Sequence, residues 1–191
     1  MKTRLLSACC MMAVLCSQTT LMHASANTSQ ATAHVVVQVP SHIVVSGPAV
    51  VTVDLSDVQI GSPIFAHVGF LVRANTQKVE LQVACTDLYK AGDPTSAHRI
   101  PVAGAGARIT CENARAIAGG DSLLQWQHSP SASLLPPGWT GAVSVAGTFT
   151  ASPAATFSQN VSVDVSWNTT DSSLPVGEYR GFVKLIGMVQ P

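Results

Sequence analysis

Strict two-residue alternation constrains this chain more than any other feature. Val161, Val163, Val165 and Trp167 alternate with Ser162, Asp164 and Ser166, and Val79, Leu81, Val83 and Cys85 alternate with Glu80, Gln82 and Ala84. A period of two puts successive side chains on opposite faces of a strand, so each run reads as a half-buried β-strand and not as a helix. Val35, Val37 and Val39 begin the series. Ile43 to Val45, Val51 to Leu55 and Ala66 to Val72 extend it, with turn signals at Ser46-Gly47-Pro48, Gly61-Ser62-Pro63 and Asn75-Thr76-Gln77 between them.

Downstream the pattern is less regular. Gly92-Asp93-Pro94, Pro101 and Gly104-Ala105-Gly106 make residues 86 to 105 read as a long loop, followed by a short strand over Arg108 to Cys111. Asn113 to Ala118 has room for one helical turn. Ser122 to Gln127 reads as a strand, Pro130 to Gly138 as a second long connection, and Ala142 to Thr150 as one strand. Leu174-Pro175-Val176-Gly177 turns the chain into a final strand over Glu178 to Val189. Eight or nine short strands with little helix predict an all-β fold, an immunoglobulin-like antiparallel β-sandwich, built from residues 34 to 191 as a single domain.

The N-terminus reads as a targeting segment. Lys2 and Arg4 precede an uncharged apolar run from Leu5 to Cys16, too short to span a bilayer but suited to a secretory signal, and Ala24-Ser25-Ala26 supplies a small-residue cleavage site. Residues 1–26 are therefore expected to be removed, leaving 27–33 as a flexible mature N-terminus. Leu6-Ser7-Ala8-Cys9 has lipobox residue types, but only two apolar residues precede it. The mature chain carries eight basic and ten acidic residues and no basic face, which argues against nucleic acid as a partner. No stable membrane insertion is expected after cleavage. Three of the five cysteines leave with the signal, and the remaining pair, Cys85 and Cys111, is expected to form one disulfide. A ring of 27 residues would contribute roughly 3–4 kcal/mol.

Chemistry-bearing motifs are scarce. Neither a Gly-x-Ser-x-Gly elbow nor a His-Glu-x-x-His run is present, no carboxylate pair is forced together by local spacing, and His34, His42, His67, His98 and His128 lack metal-ligand spacing. No catalytic residue, metal or cofactor is expected, and an enzyme ranks third among the readings. Trp126 and Trp139 stand beside loops, where they either stack on a sugar ring or cap the ends of the core. The last two readings concern the N-terminus. A loose lead followed by Val35, Val37 and Val39 can insert into a neighbour's open sheet as a donor strand, or can be the first strand of its own sandwich.

The closing run Leu174-Pro175-Val176-Gly177-Glu178-Tyr179-Arg180-Gly181-Phe182-Val183-Lys184-Leu185 resembles the ending of bacterial fimbrial subunits of the chaperone–usher type. The resemblance implies an immunoglobulin-like pilin fold, assembly by donor-strand exchange with other fibre subunits and a periplasmic chaperone as partners, and passage through the periplasm to the cell surface or fimbrium. The alternative function is a periplasmic or secreted carbohydrate-binding sandwich using Trp126 and Trp139.

Overall fold

A computed structural model describes residues 36–48, 61–116, 122–127, 132–151, 156–169 and 173–189. The chain divides into a leading unit, Met1–Val39, and a main unit, Pro40–Pro191. In the leading unit residues 36–39 form no strand, and Val36, Val37 and Val39 are exposed. The expected first strand is not formed over residues 36–39, while Val35 and the run Val51 to Leu55 lie outside the described residues.

The main unit is all-β. In the first sheet, β1 (Ile43–Ser46), β2 (Pro63–Ala74), β11 (Phe157–Asn168), β6 (Val102–Cys111) and β8 (Leu123–Gln125) follow one another in that order. The second sheet orders β13 (Val183–Val189), β3 (Lys78–Thr86), β10 (Gly147–Ala151) and β7 (Ala114–Ala116), with β9 (Gly141–Val143) also on β3. A small third sheet joins β12 (Tyr179–Arg180), β4 (Leu88–Lys90) and β5 (Arg99–Ile100). Every pairing is antiparallel.

Alternation decides what each sheet buries. From β11, Phe157, Val161, Val163, Val165 and Trp167 point inward; from β3, Val79, Leu81, Val83 and Cys85 are fully buried. These faces share one apolar core, and each buried Val or Leu contributes about 1.5–3 kcal/mol relative to exposure. The outer face of β11 carries Ser158, Asn160, Ser162, Asp164 and Ser166, as the alternation requires.

Where hydrophobic period and glycine signals conflict, tertiary pairing wins. The expected loop at residues 86–105 contains β4, β5 and the start of β6. Gly104, with φ of 79°, lies in a bulge where β6 spends extra residues between its Arg108↔Asp164 and Ala103↔Ser166 pairings. The helical turn considered at Asn113 to Ala118 contains β7, held by β10. Ala142 to Thr150 is broken in two because the Ser144 hydroxyl accepts from Val83 N–H at 2.9 Å and donates to the Val145 carbonyl. The final strand is likewise broken between β12 and β13.

The expected Cys85–Cys111 disulfide is not formed; both thiols are free. Cys85 sits near the end of β3 in the second sheet, beside the Thr86 carbonyl that accepts from Trp167 Nε1 at 2.9 Å. Cys111 is opposite Val161 in the first sheet. Six residues of β11 separate those two levels, roughly 20 Å at about 3.3 Å per residue, whereas a disulfide requires Cα atoms within about 7 Å. An even cysteine count could not reveal that the two positions lie at opposite ends of the core. Burial raises both thiols, Cys111 to about 12 and Cys85 further, with the nearby Asp87 carboxylate a second cause at Cys85.

Candidate functional site

The two long edges of the sheet pair are built differently. Along one, the end of β8 and the residues after it are laced to the second sheet: Trp126 forms an isolated bridge with Ser144, Gln127 N–H donates to the Val143 carbonyl at 2.7 Å, and Val145 N–H donates to the Gln125 carbonyl at 2.8 Å. Trp126 Nε1 also donates to the Ala103 carbonyl at 3.3 Å. These main-chain bonds close the edge beside β8, while β7, the last strand of the second sheet, pairs only with β10 among the described residues.

The other edge is formed by β1 and β13. β1 pairs only with β2, and β13 pairs only with β3, among the described residues. Each strand therefore presents a row of N–H and C=O groups with no strand partner, the arrangement that accepts an added strand. At one end the two strands pack tightly: a Cβ on Gly187 would lie 2.7 Å from Ile43 Cδ1 and 3.0 Å from Val45 Cγ2. A groove of about 440 Å³ opens between them. Val45 and Phe70 form one wall, Val183 and Leu185 the other, and Leu134, Leu135 and Pro136 a lip.

Sequence and geometry together explain why the groove stays open. Gly47 follows β1 directly and the Phe70 ring occupies the space that a side chain there would need, with Cδ1 2.6 Å from the position of a Cβ. At the far end Thr86 fixes the path into β13: its hydroxyl accepts from Phe182 N–H at 2.8 Å and its N–H donates to the Phe182 carbonyl at 2.9 Å. Gly181 passes so close to Thr86 and Leu88 that a Cβ would lie 2.8 Å from each side chain. The turn exposes Phe182 and stacks it edge-on against Trp139, with ring centroids 4.9 Å apart.

Below this turn lies a buried polar cluster. Asp87 accepts from Val102 N–H at 2.9 Å, from the Thr140 hydroxyl at 2.7 Å and from Arg99 at 3.2 Å. The Thr140 hydroxyl also lies 2.7 Å from the Tyr89 hydroxyl, and Tyr89 meets the second edge of Trp139 at 5.1 Å. Trp139 is thus held between two aromatic rings, and Trp126 is built into the closed edge. Among the described residues the two indoles make separate contacts, Trp139 with Tyr89 and Phe182 and Trp126 with the Ala103 carbonyl.

Among the described residues no group of three or more His, Cys, Asp or Glu side chains could hold a metal ion, and no helix is long and apolar enough to cross a membrane. The groove residues Phe70 and Leu134 to Pro136 escaped the sequence reading. An apolar Leu-Leu-Pro-Pro stretch within a loop was the available signal. No protein-family model matches the chain, and a search of curated proteins finds no relative.

Proposed function

We propose that the chain is a structural or adhesive subunit of a surface fibre, an immunoglobulin-like sandwich that assembles by strand donation. The segment carrying Val35, Val37 and Val39 of one copy enters the β1–β13 groove of the next. An apolar groove between β1 and β13, each paired on one side only among the described residues, is the observation that carries this reading. Support also comes from residues 36–39, which form no strand and expose Val36 at 88%, Val37 at 76% and Val39 at 75%. An extended segment adds main-chain bonds to both open strands while its alternate valines fill the space between them. Export through the periplasm with a chaperone guarding the groove belongs to the same proposal.

Each valine transferred into the groove is worth about 1.5–3 kcal/mol, roughly tenfold to a hundredfold in affinity. Sedimentation of the processed chain over a concentration series tests the reading. Concentration-dependent association that is lost in Val37→Asp/Val39→Asp, with the circular dichroism spectrum unchanged, is the expected result. Association indifferent to that double substitution, or a strictly monomeric parent, would remove strand donation.

A further inference from the structure

A second arrangement lies on the outer face of the first sheet, and it does not depend on strand donation. Antiparallel register places Asp164 of β11 directly opposite His67 of β2, and Ser162 opposite Gly69. His67 Nδ1 lies 2.5 Å from Asp164 Oδ1, and His67 Nε2 lies 2.8 Å from Ser162 Oγ. An ionised carboxylate only accepts hydrogen bonds, so in the neutral imidazole the proton sits on Nδ1 and donates to Asp164. Nε2 is then the acceptor for the Ser162 hydroxyl. A hydroxyl on one imidazole nitrogen and a carboxylate on the other is the geometry that activates a serine nucleophile on unrelated folds.

The surroundings leave that hydroxyl approachable. Gly69, directly opposite, has open space where a Cβ would stand. A depression of about 420 Å³ beside it is lined by Ser162, Gly69, Phe70, Leu71 and Asn160. Asn160 lies two residues from Ser162 on the same face. Its amide donates to Glu112 Oε2 at 3.3 Å, a long bond that leaves a donor available to turn toward a carbonyl oxygen. Arg108 of β6, the other neighbouring strand, stands opposite Asp164 in the backbone register.

We propose that Ser162 and His67, with Asp164 as positioning residue, form a nucleophilic serine site for small, activated acyl esters. Ser162 Oγ bonds to the acyl carbon as its proton passes to His67 Nε2. The bond to the leaving alkoxide breaks, and that oxygen takes the proton from His67. Water then attacks the acyl-serine, again giving a proton to His67, which returns it to Ser162 as the carboxylic acid leaves. No local motif marks this site, because its members come from two strands and Ser162 has no glycine elbow around it.

The test is covalent labelling of the purified protein with a fluorophosphonate, which loses fluoride as phosphorus bonds to an activated serine. Mass spectrometry is expected to place the adduct on Ser162. Labelling should fall at least 100-fold in His67→Ala and fall in Gly69→Val, which covers the hydroxyl without altering the three side chains. Asp164→Asn should slow labelling and Asp164→Glu should recover part of the rate, with thermal unfolding midpoints near that of the parent. No adduct on Ser162, or an adduct formed equally fast in His67→Ala, would overturn the proposal.

Discussion

Removing the Asp87 carboxylate should cost far more than its single ion pair suggests. Asp87 is buried and accepts three hydrogen bonds, from Val102 N–H, Thr140 and Arg99. In Asp87→Ala the Val102 amide loses a charge-assisted bond worth about 1.5–3 kcal/mol. Thr140 retains the Tyr89 hydroxyl as a partner, so its loss is nearer 1 kcal/mol. The Arg99 side chain is half exposed and its ion pair adds about 0–1 kcal/mol. Together these give about 2.5–5 kcal/mol. Asp87→Asn keeps an oxygen for Val102 but turns an amide toward two donors, at about 1–2 kcal/mol, and Arg99→Ala should cost less than about 1 kcal/mol. Guanidinium chloride unfolding of the four proteins reads the order directly. Asp87→Ala within 1 kcal/mol of the parent, or Arg99→Ala as damaging as Asp87→Ala, would refute the assignment of the main-chain bond as the dominant contribution.

Other consequences can be checked separately. A thiol-specific reagent should find two reactive cysteines in the denatured processed chain prepared without reductant and almost none in the native one. Their folded pKa values lie above the ordinary value of 9.0. The stability they contribute is therefore complete below about pH 9 and is lost as pH rises from there through about 12, by about 1.4 kcal/mol per pH unit for each thiol. Urea unfolding at several alkaline pH values should show a shallower decline in Cys111→Ala; an identical slope would contradict the assignment. Gly187→Val should force β1 from β13 and destabilise by about 1–3 kcal/mol through overpacking, measured as a lower thermal midpoint. Tryptophan fluorescence should remain unchanged across a glycan panel, since Trp139 and Trp126 are held by protein contacts; a saturable change would revive the sugar-binding reading.

The strands that were legible in the sequence are those with one buried face. β3 and β11 follow from their alternating valines because burial of one face and solvation of the other leave a period-two record. Edge and irregular strands leave no such record. β7 is a strand because β10 supplies its partner, and β6 runs through a glycine bulge that reads locally as loop. Cys85 was correctly placed on an inward face, yet its distance from Cys111 depends on sheet assignment and strand register, which no local pattern contains. Val35, Val37 and Val39 could be named as candidate donor residues from alternation, whereas the groove required β1 and β13, distant in sequence, to be brought side by side. Ser162, His67 and Asp164 are equally a product of register: a slip of one residue between β2 and β11 would dissolve them.

The most direct measurement of strand donation is a cross-link between copies. Gln38 alternates with Val37 and Val39, and Lys184 is an exposed residue of β13; neither is needed to fill the groove. Mixing Gln38→Cys and Lys184→Cys chains under mild oxidation should yield a covalent heterodimer joining residue 38 of one copy to residue 184, or to Ile186→Cys two residues along, of another. Absence of these heterodimers in an associating sample, or efficient cyclisation of dilute Gln38→Cys/Lys184→Cys monomers, would instead show that the groove is filled otherwise or by the chain's own first strand.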